Sequence, residues 1–157
     1  MHGITLQRLS ADDPNIMTVA KWTFEAWGHL HPGLTLEEAI ELTQAECGSA
    51  GVPSIFVAMK GELPVGTASL IADDMSTRRE LTPWLASVFV VPEWRSKGIA
   101  SALVQRVEAE VLENDMEHFY LYTPDQQALY GRLAWQEEET LEYRGETVTL
   151  MSRQLAR

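Results

Sequence analysis

Apolar and polar positions alternate through Ile4-Thr5-Leu6-Gln7-Arg8-Leu9, the two-residue period of a half-buried strand. Asp13-Pro14 then reads as an N-cap followed by proline at the first helical position. Ile16, Val19, Ala20, Thr23 and Trp27 recur at helical spacing, and Gly28 and Pro32 close that helix. Thr35-Leu36-Glu37-Glu38 matches a capping box, and Leu36, Ala39, Ile40, Thr43 and Cys47 form one face of a second helix. Residues 54–60 and 63–71 read as strands joined in a hairpin through Lys60-Gly61-Glu62. Residues 73–82 are polar and predict a loop in which Arg78 and Arg79 are solvated. Residues 84–91 are almost wholly apolar, which predicts a central strand covered on both faces.

Ala100, Leu103, Val104, Val107 and Val111 give a third helix its apolar stripe. Residues 118–122 read as a further strand. Thr123-Pro124-Asp125-Gln126 predicts a Thr N-cap, Pro at N1 and Gln at N3 of a short helix running to Leu133. Residues 135–143 and 146–155 read as two last strands around Arg144-Gly145. The predicted order is β-α-α-β-β-β-α-β-α-β-β, an α+β layout without repeats, low-complexity tracts or linkers.

Composition narrows the picture. A chain of 157 residues with 45% hydrophobic and 22% charged content suits one domain, spanning 1–157, with a substantial core. Asp and Glu number 23 against 12 Lys and Arg, a net charge of -11. That balance argues against nucleic acid, whose phosphates need a basic face; it would attract a cationic substrate, and the alternative reading is that it serves solubility alone. Cys47 is the single cysteine, so no internal disulfide can form, no Cys-based metal site is expected, and on an apolar helix face it reads as core. No run approaches the ~20 apolar residues of a membrane span. Met1-His2-Gly3-Ile4 lacks the basic-then-apolar pattern of a signal peptide, so a cytoplasmic location is expected.

The candidate chemistry lies at Val88-Phe89-Val90-Val91-Pro92-Glu93-Trp94-Arg95-Ser96-Lys97-Gly98-Ile99-Ala100. An apolar strand, a turn and a helix start follow one another there. A helix N-terminus has unpaired N–H groups and partial positive charge, and small residues at Gly98 and Ala100 let a pyrophosphate approach the backbone. Arg95 and Lys97 add positive charge to an acidic chain. Trp84 and Trp94 read as structural, Glu93 and Ser96 as turn surface, and Glu137-Glu138-Glu139 as a charge-protected strand edge.

Arg95-x-x-Gly98-x-Ala100 after an apolar strand, with this element order, resembles the GCN5-related N-acetyltransferases (GNAT), whose signature is Gln/Arg-x-x-Gly-x-Gly/Ala. Leu129-Tyr130-Gly131-Arg132-Leu133-Ala134-Trp135 is similar to that family's late "Leu-Tyr … Leu-Gly-Phe/Trp" segment, and the resemblance covers essentially the whole chain. It implies a mixed central sheet of about seven strands flanked by about four helices. It implies acetyl-CoA as co-substrate, a primary amine as acceptor and direct attack within a ternary complex. The alternatives are a protein N-terminal or lysine acetyltransferase and a non-catalytic acyl-CoA-binding module.

By the same resemblance, the backbone at Val88, Phe89 and Val90 pairs with the pantetheine arm. The amides of Arg95, Ser96, Lys97, Gly98, Ile99, Ala100 and Ser101 cradle the pyrophosphate. Tyr130 stands where the family places its general acid, whose loss should remove the high-pH limb of the rate profile. Trp27, His31 and Ser87 are candidates for the acceptor site. Two departures stand out. Ala134 replaces the usual glycine, so a helix must end without the easiest φ > 0 residue. No Glu lies within residues 118–122 to serve as base, which leaves the base unassigned, together with the acceptor, the acyl-chain length and the oligomeric state, for which a homodimer is allowed.

Overall fold

The structure, a computed structural model, describes residues 3–156; Met1 and His2 of the N-terminal tetrapeptide lie outside the described residues. Its elements follow the predicted order: β1 (Ile4–Arg8), α1 (Ile16–Trp27), α2 (Leu36–Ala45), β2 (Ser54–Lys60), β3 (Leu63–Ile71), β4 (Trp84–Val90), α3 (Ile99–Glu113), β5 (His118–Thr123), α4 (Gln127–Arg132), β6 (Gln136–Tyr143) and β7 (Glu146–Gln154). The strands form one sheet of order β1-β2-β3-β4-β5-β7-β6. Every neighbouring pair is antiparallel except β4–β5, which is parallel.

Three apolar clusters hold the layers together. On one face α3 and α4 cover Phe56, Leu70, Leu85, Val90, Phe119 and Leu121. On the other, α1 and α2 cover Ile55, Val57 and Met59. The loop after β3 covers the rest of that second face, with Met75 packed on Trp84, Tyr143 and Leu150.

Where the chain departs from its predicted pattern, local hydrogen bonds explain it. Helix α1 starts at Ile16 because the Asp13 carboxylate accepts the Asn15 N–H at 2.8 Å, closing a turn ahead of the helix instead of capping it. The capping box at α2 forms as predicted, with Thr35 and Glu38 each satisfying the other's backbone N–H. Cys47 falls just beyond α2, half-buried against the Ile55 cluster. Thr123 ends β5, and its hydroxyl accepts the Gln126 N–H at 3.0 Å, so a hydroxyl-closed turn delays α4 to Gln127. The last hairpin turns at Arg144 and Gly145, with φ of 50° and 82°. Both positive values fit the two-residue turn that matches strand twist.

The loop 72–83 is not simply solvated: Met75 is 1% exposed, and Arg78 pairs with Glu139 of β6 at 2.9 Å. Glu110, on α3, is buried beside the apolar stripe. Its carboxylate accepts Arg8 Nη2 at 2.7 Å and the Gly51 N–H at 2.6 Å, with Arg106 at 3.2 Å. Burial alone would raise this carboxyl. The backbone N–H and the two guanidinium groups outweigh burial and hold it below the ordinary carboxylate range.

Candidate active site

The central strand pair is where the sheet opens. β4 and β5 meet at one register pair, Trp84↔Tyr120, and then diverge. On its other side β4 carries a bulge: Ser69 pairs Ala86 while Thr67 pairs Phe89, which leaves one extra residue on β4. Ser87 takes up that bulge with φ of 54°. As a result Ser87, Val88 and Phe89 are half-buried, not covered on both faces as an unbroken apolar strand predicts. Their backbone edge toward β5 has no strand partner. An extended chain can dock there by strand-like pairing.

The turn after β4 places the motif at the mouth of this split. Pro92–Trp94 forms one 3-10 turn, Ser96 adopts φ of 61°, and Gly98 caps α3 with φ of 83°. The left-handed conformation at Gly98 is one a side chain disfavours, and no atom lies within 4 Å of the place a Cβ would occupy. The first helical bond runs from the Ala102 N–H to the Gly98 carbonyl at 3.1 Å. The N–H groups of Ile99, Ala100 and Ser101 therefore have no acceptor within the helix, and no acidic residue sits in its first turn. Unpaired N–H groups at a helix start are suited to an anion.

The side chains sort themselves. Ile99 is 2% exposed in the core, so only its backbone can serve a ligand. Arg95 turns back on β4: its Nε donates to the Val90 carbonyl at 2.8 Å and its guanidinium lies 5.6 Å from the Phe89 ring centre. It braces the turn and takes the Val90 carbonyl out of reach of a docked chain. Lys97 is exposed.

Tyr130 sits on α4, 7% exposed, with its ring 6.1 Å from Trp135 and in the same cluster as Val88 and Val90. Burial first, and Asp125 second, push its phenol up to about 12. It is fully protonated at neutral pH and can donate.

On the α1 side of the split stand other groups. Phe89 packs on Trp22 at 5.5 Å and on Trp27 at 6.4 Å. Tyr122 of β5 packs on Trp84 and Tyr143. His31 ends the 3-10 turn Gly28–Leu30, with partial burial and then Arg144 lowering its affinity for a proton. Trp27 is thus brought to Phe89 of the split, Ser87 lies in the bulge of β4, and His31 is near Arg144. Tyr122, Tyr143 and Arg144, which the sequence reading did not single out for the site, come together beside the last hairpin. The alternation of Tyr120 and Tyr122 along β5 was the available signal. Cys47 is held unreactive, its thiol pushed up to about 11 by burial, then by Glu46 and Asp13.

Two open surface hollows of ≈ 470 and ≈ 560 Å³ lie elsewhere, sharing His118 and Tyr120 at the start of β5. Apart from Tyr120, whose pairing with Trp84 marks where the strands part, neither contains a residue of the split or of the turn after β4, where the oriented N–H groups lie. Among the described residues, no cluster of three or more His, Cys, Asp or Glu could hold a metal, and no helix is long and apolar enough to cross a membrane.

The chain matches the acetyltransferase (GNAT) family across residues 16–135, more than half its length, and it belongs to that family. No curated protein matches it in sequence. Among solved structures it is similar to an aminoglycoside 6′-N-acetyltransferase complexed with coenzyme A, at 13% identity over 98% of each chain with a TM-score of 0.74. It is also similar to Salmonella typhimurium yncA, solved with acetyl-CoA, at 15% identity over 98% of this chain and 95% of that one, with a TM-score of 0.72. Ard1 from Thermoplasma volcanium aligns at 15% identity over 99% of each chain, with a TM-score of 0.71. At these identities the likenesses establish the fold, and the chain is an acyltransferase by family.

Proposed function

We propose that this acetyltransferase moves the acetyl group of acetyl-CoA to a primary amine, by direct attack in a ternary complex within one domain. The observation that carries this reading is the junction of a one-pair opening in the sheet with a glycine-led helix N-terminus at its mouth. An extended pantetheine arm matches the free edge of β4 at Val88–Phe89. A pyrophosphate matches the amides from residue 96 to residue 101. Aminoglycoside 6′-N-acetyltransferase with coenzyme A and yncA with acetyl-CoA support the same donor.

The amine lone pair attacks the thioester carbonyl, an oxyanion forms, and the C–S bond breaks as the CoA thiolate leaves. Backbone N–H groups at the bulged strand suit the oxyanion. Tyr130 donates a hydrogen bond to the sulfur as its charge grows. The acidic balance of the chain favours a small cationic acceptor, and a cytoplasmic location suits acetyl-CoA chemistry.

The test is release of CoA thiol from acetyl-CoA with a panel of small amines, beside peptides with free N-termini or lysines. Turnover confined to small amines supports the reading. Turnover of peptides alone moves the chain to the protein-acetylating class. Tight acetyl-CoA binding without turnover of anything offered makes it a binding module.

A further inference from the structure

Helix α4 has six residues, far below the length at which a helix is stable by itself. Tyr130 is therefore held by what packs against it, and Trp135 does so twice. The Trp135 N–H donates to the Tyr130 carbonyl at 3.0 Å, and the two rings meet edge to face, 6.1 Å between centres. The turn that returns the chain to this contact passes through Ala134 at φ of 71°. The indole is 4% exposed and lies 4.6 Å from the Phe119 ring of β5.

The indole N–H itself is buried and has no hydrogen-bond partner. Among the described residues three other side-chain atoms share that condition: Arg106 Nη1, Glu108 Oε2 and Arg153 Nε. Arg106 Nη1 already lies beside the Glu110 carboxylate at 3.2 Å. The other two meet near Trp135. Glu108 Oε2, on α3, is 3.9 Å from Arg153 Nε, on β7. Gln136 pairs with Ser152, so Trp135, one residue earlier, comes beside Arg153. Phe119, on which the indole packs, pairs with Arg153 directly. Arg153 alternates along β7 with Met151 and Leu155, both in the core under α3, so its side chain shares their face. Its Nη1 donates to the Gln154 carbonyl at 2.7 Å, which fixes the guanidinium.

Two N–H donors thus stand around one carboxylate oxygen, from three different elements. Buried polar atoms are costly when left apart, and these three are complementary in kind. Burial raises the Glu108 carboxyl above its ordinary value, against the pull of Arg153 and of the Trp135 N–H.

We propose that Glu108 is a positioning residue for acetyl transfer: with Arg153 it holds the Trp135 indole, and Trp135 holds Tyr130 for its donation to sulfur. This rests on the N-acetyltransferase reading above. Glu108 is nine residues along α3 from Ile99, roughly 14 Å from the amides at the helix start, so it acts through Tyr130 and not through the donor's phosphates. A donor displaced from its line to the sulfur loses stabilisation of the transition state while donor binding is kept.

The test is a double-mutant cycle read by thiol release from acetyl-CoA, with NMR beside it. Glu108→Leu removes the acceptor and keeps the bulk; Glu108→Gln keeps an acceptor oxygen. Glu108→Leu should lower kcat about 2- to 10-fold, the worth of one ordinary hydrogen bond, with the KM for acetyl-CoA within about two-fold. Glu108→Gln should stay close to wild type. In a Tyr130→Phe background Glu108→Leu should cost nothing more, since the oxygen it positions is gone. The Trp135 indole N–H signal, identified by its loss in Trp135→Phe, should move in Glu108→Leu together with the Tyr130 ring signals. Wild-type kcat in Glu108→Leu overturns the proposal, as does a Glu108→Gln chain as impaired as Glu108→Leu. The same fold-loss in both backgrounds overturns it too, because a general loosening of the fold would act without Tyr130. If Glu108→Leu does not fold, Trp135→Phe takes its place in the cycle with the same criteria. If wild type releases thiol with no amine, the acetyl-transfer reading falls and NMR decides the rest: indole and Tyr130 signals that move together keep the positioning of Tyr130, and an unmoved indole or ring removes it.

Discussion

Replacing Tyr130 by Phe removes one oxygen and keeps the ring on Trp135, so the packing of α4 should survive. The size of the effect follows from burial. A phenol raised to about 12 lies roughly 3.5 units above a thiol of about 8.5, and full proton transfer to the departing thiolate would be uphill by about 5 kcal/mol. On the proposed mechanism Tyr130 would therefore help as a hydrogen-bond donor to sulfur and not as a source of a whole proton. Such a bond to a charged acceptor contributes about 1.5–3 kcal/mol, which sets the loss in kcat at roughly 10- to 100-fold. That is the low end of what general acids supply.

The same burial changes the expected pH profile. An ordinary phenol would end activity near pH 10, but this one titrates near 12, beyond a practical assay. Steady-state thiol release from pH 7 to 10 should therefore give two curves of the same shape, with Tyr130→Phe displaced downward by a constant factor. The KM for acetyl-CoA should stay within about two-fold, because the hydroxyl acts on charge that develops in the transition state. Wild-type kcat in the variant across that range would make Tyr130 structural. A wild-type limb near pH 10 that vanishes in the variant would show instead an unburied phenol passing on its proton.

Three further outcomes are expected. Gly98→Val puts a side chain at φ of 83° into the open space before the α3 amides, so CoA affinity by calorimetry should fall at least ~10-fold, and a folded variant with unchanged affinity refutes the placement of an anion there. Ala134→Gly relieves an exposed alanine held at φ of 71° and should add about 0.5–1 kcal/mol in denaturant melts, net of the extra entropy of glycine; no gain would mean the position is unstrained. Glu110→Gln leaves Arg8 and Arg106 without a counter-charge and should cost roughly 2–3 kcal/mol, less than a fully buried pair because both arginines are about a quarter exposed. Its carboxyl is held low in the folded chain, so its contribution is present above the unfolded value of about 4.5 and drains away as pH falls through the folded one. The melting temperatures of wild type and variant should converge in acid.

What the sequence disclosed tracks how local the cause is. The Thr35/Glu38 box, the Gly61 hairpin and the Arg144-Gly145 turn are short-range chemistry, and each appears where the pattern put it. The glycine-led helix after an apolar strand is local as well, and so was the strained end of α4 at Ala134. Asp13 and Thr123 misled because Asp and Thr close turns with the same bonds that cap helices. The bulge at Ser87 and the divergence of β4 from β5 could not be read, since both depend on partners far along the chain. For the same reason the meeting of Glu108, Trp135 and Arg153 could not be read: they come from α3, the start of β6 and β7.

The single Trp84↔Tyr120 pair has a thermodynamic side. A sheet of seven strands is here two smaller sheets, β1–β4 and β5–β7–β6, sewn at one stitch and lined by a shared core under α3. The missing stitches are ones a bound donor would supply along Val88 and Phe89. Occupancy and cohesion between the halves are then one equilibrium: a ligand at 100 times its Kd adds about 2.7 kcal/mol to the folded state. A chain short of acetyl-CoA would be less active and also easier to pull apart along its centre, so proteases meeting the protein would in effect read the level of its donor.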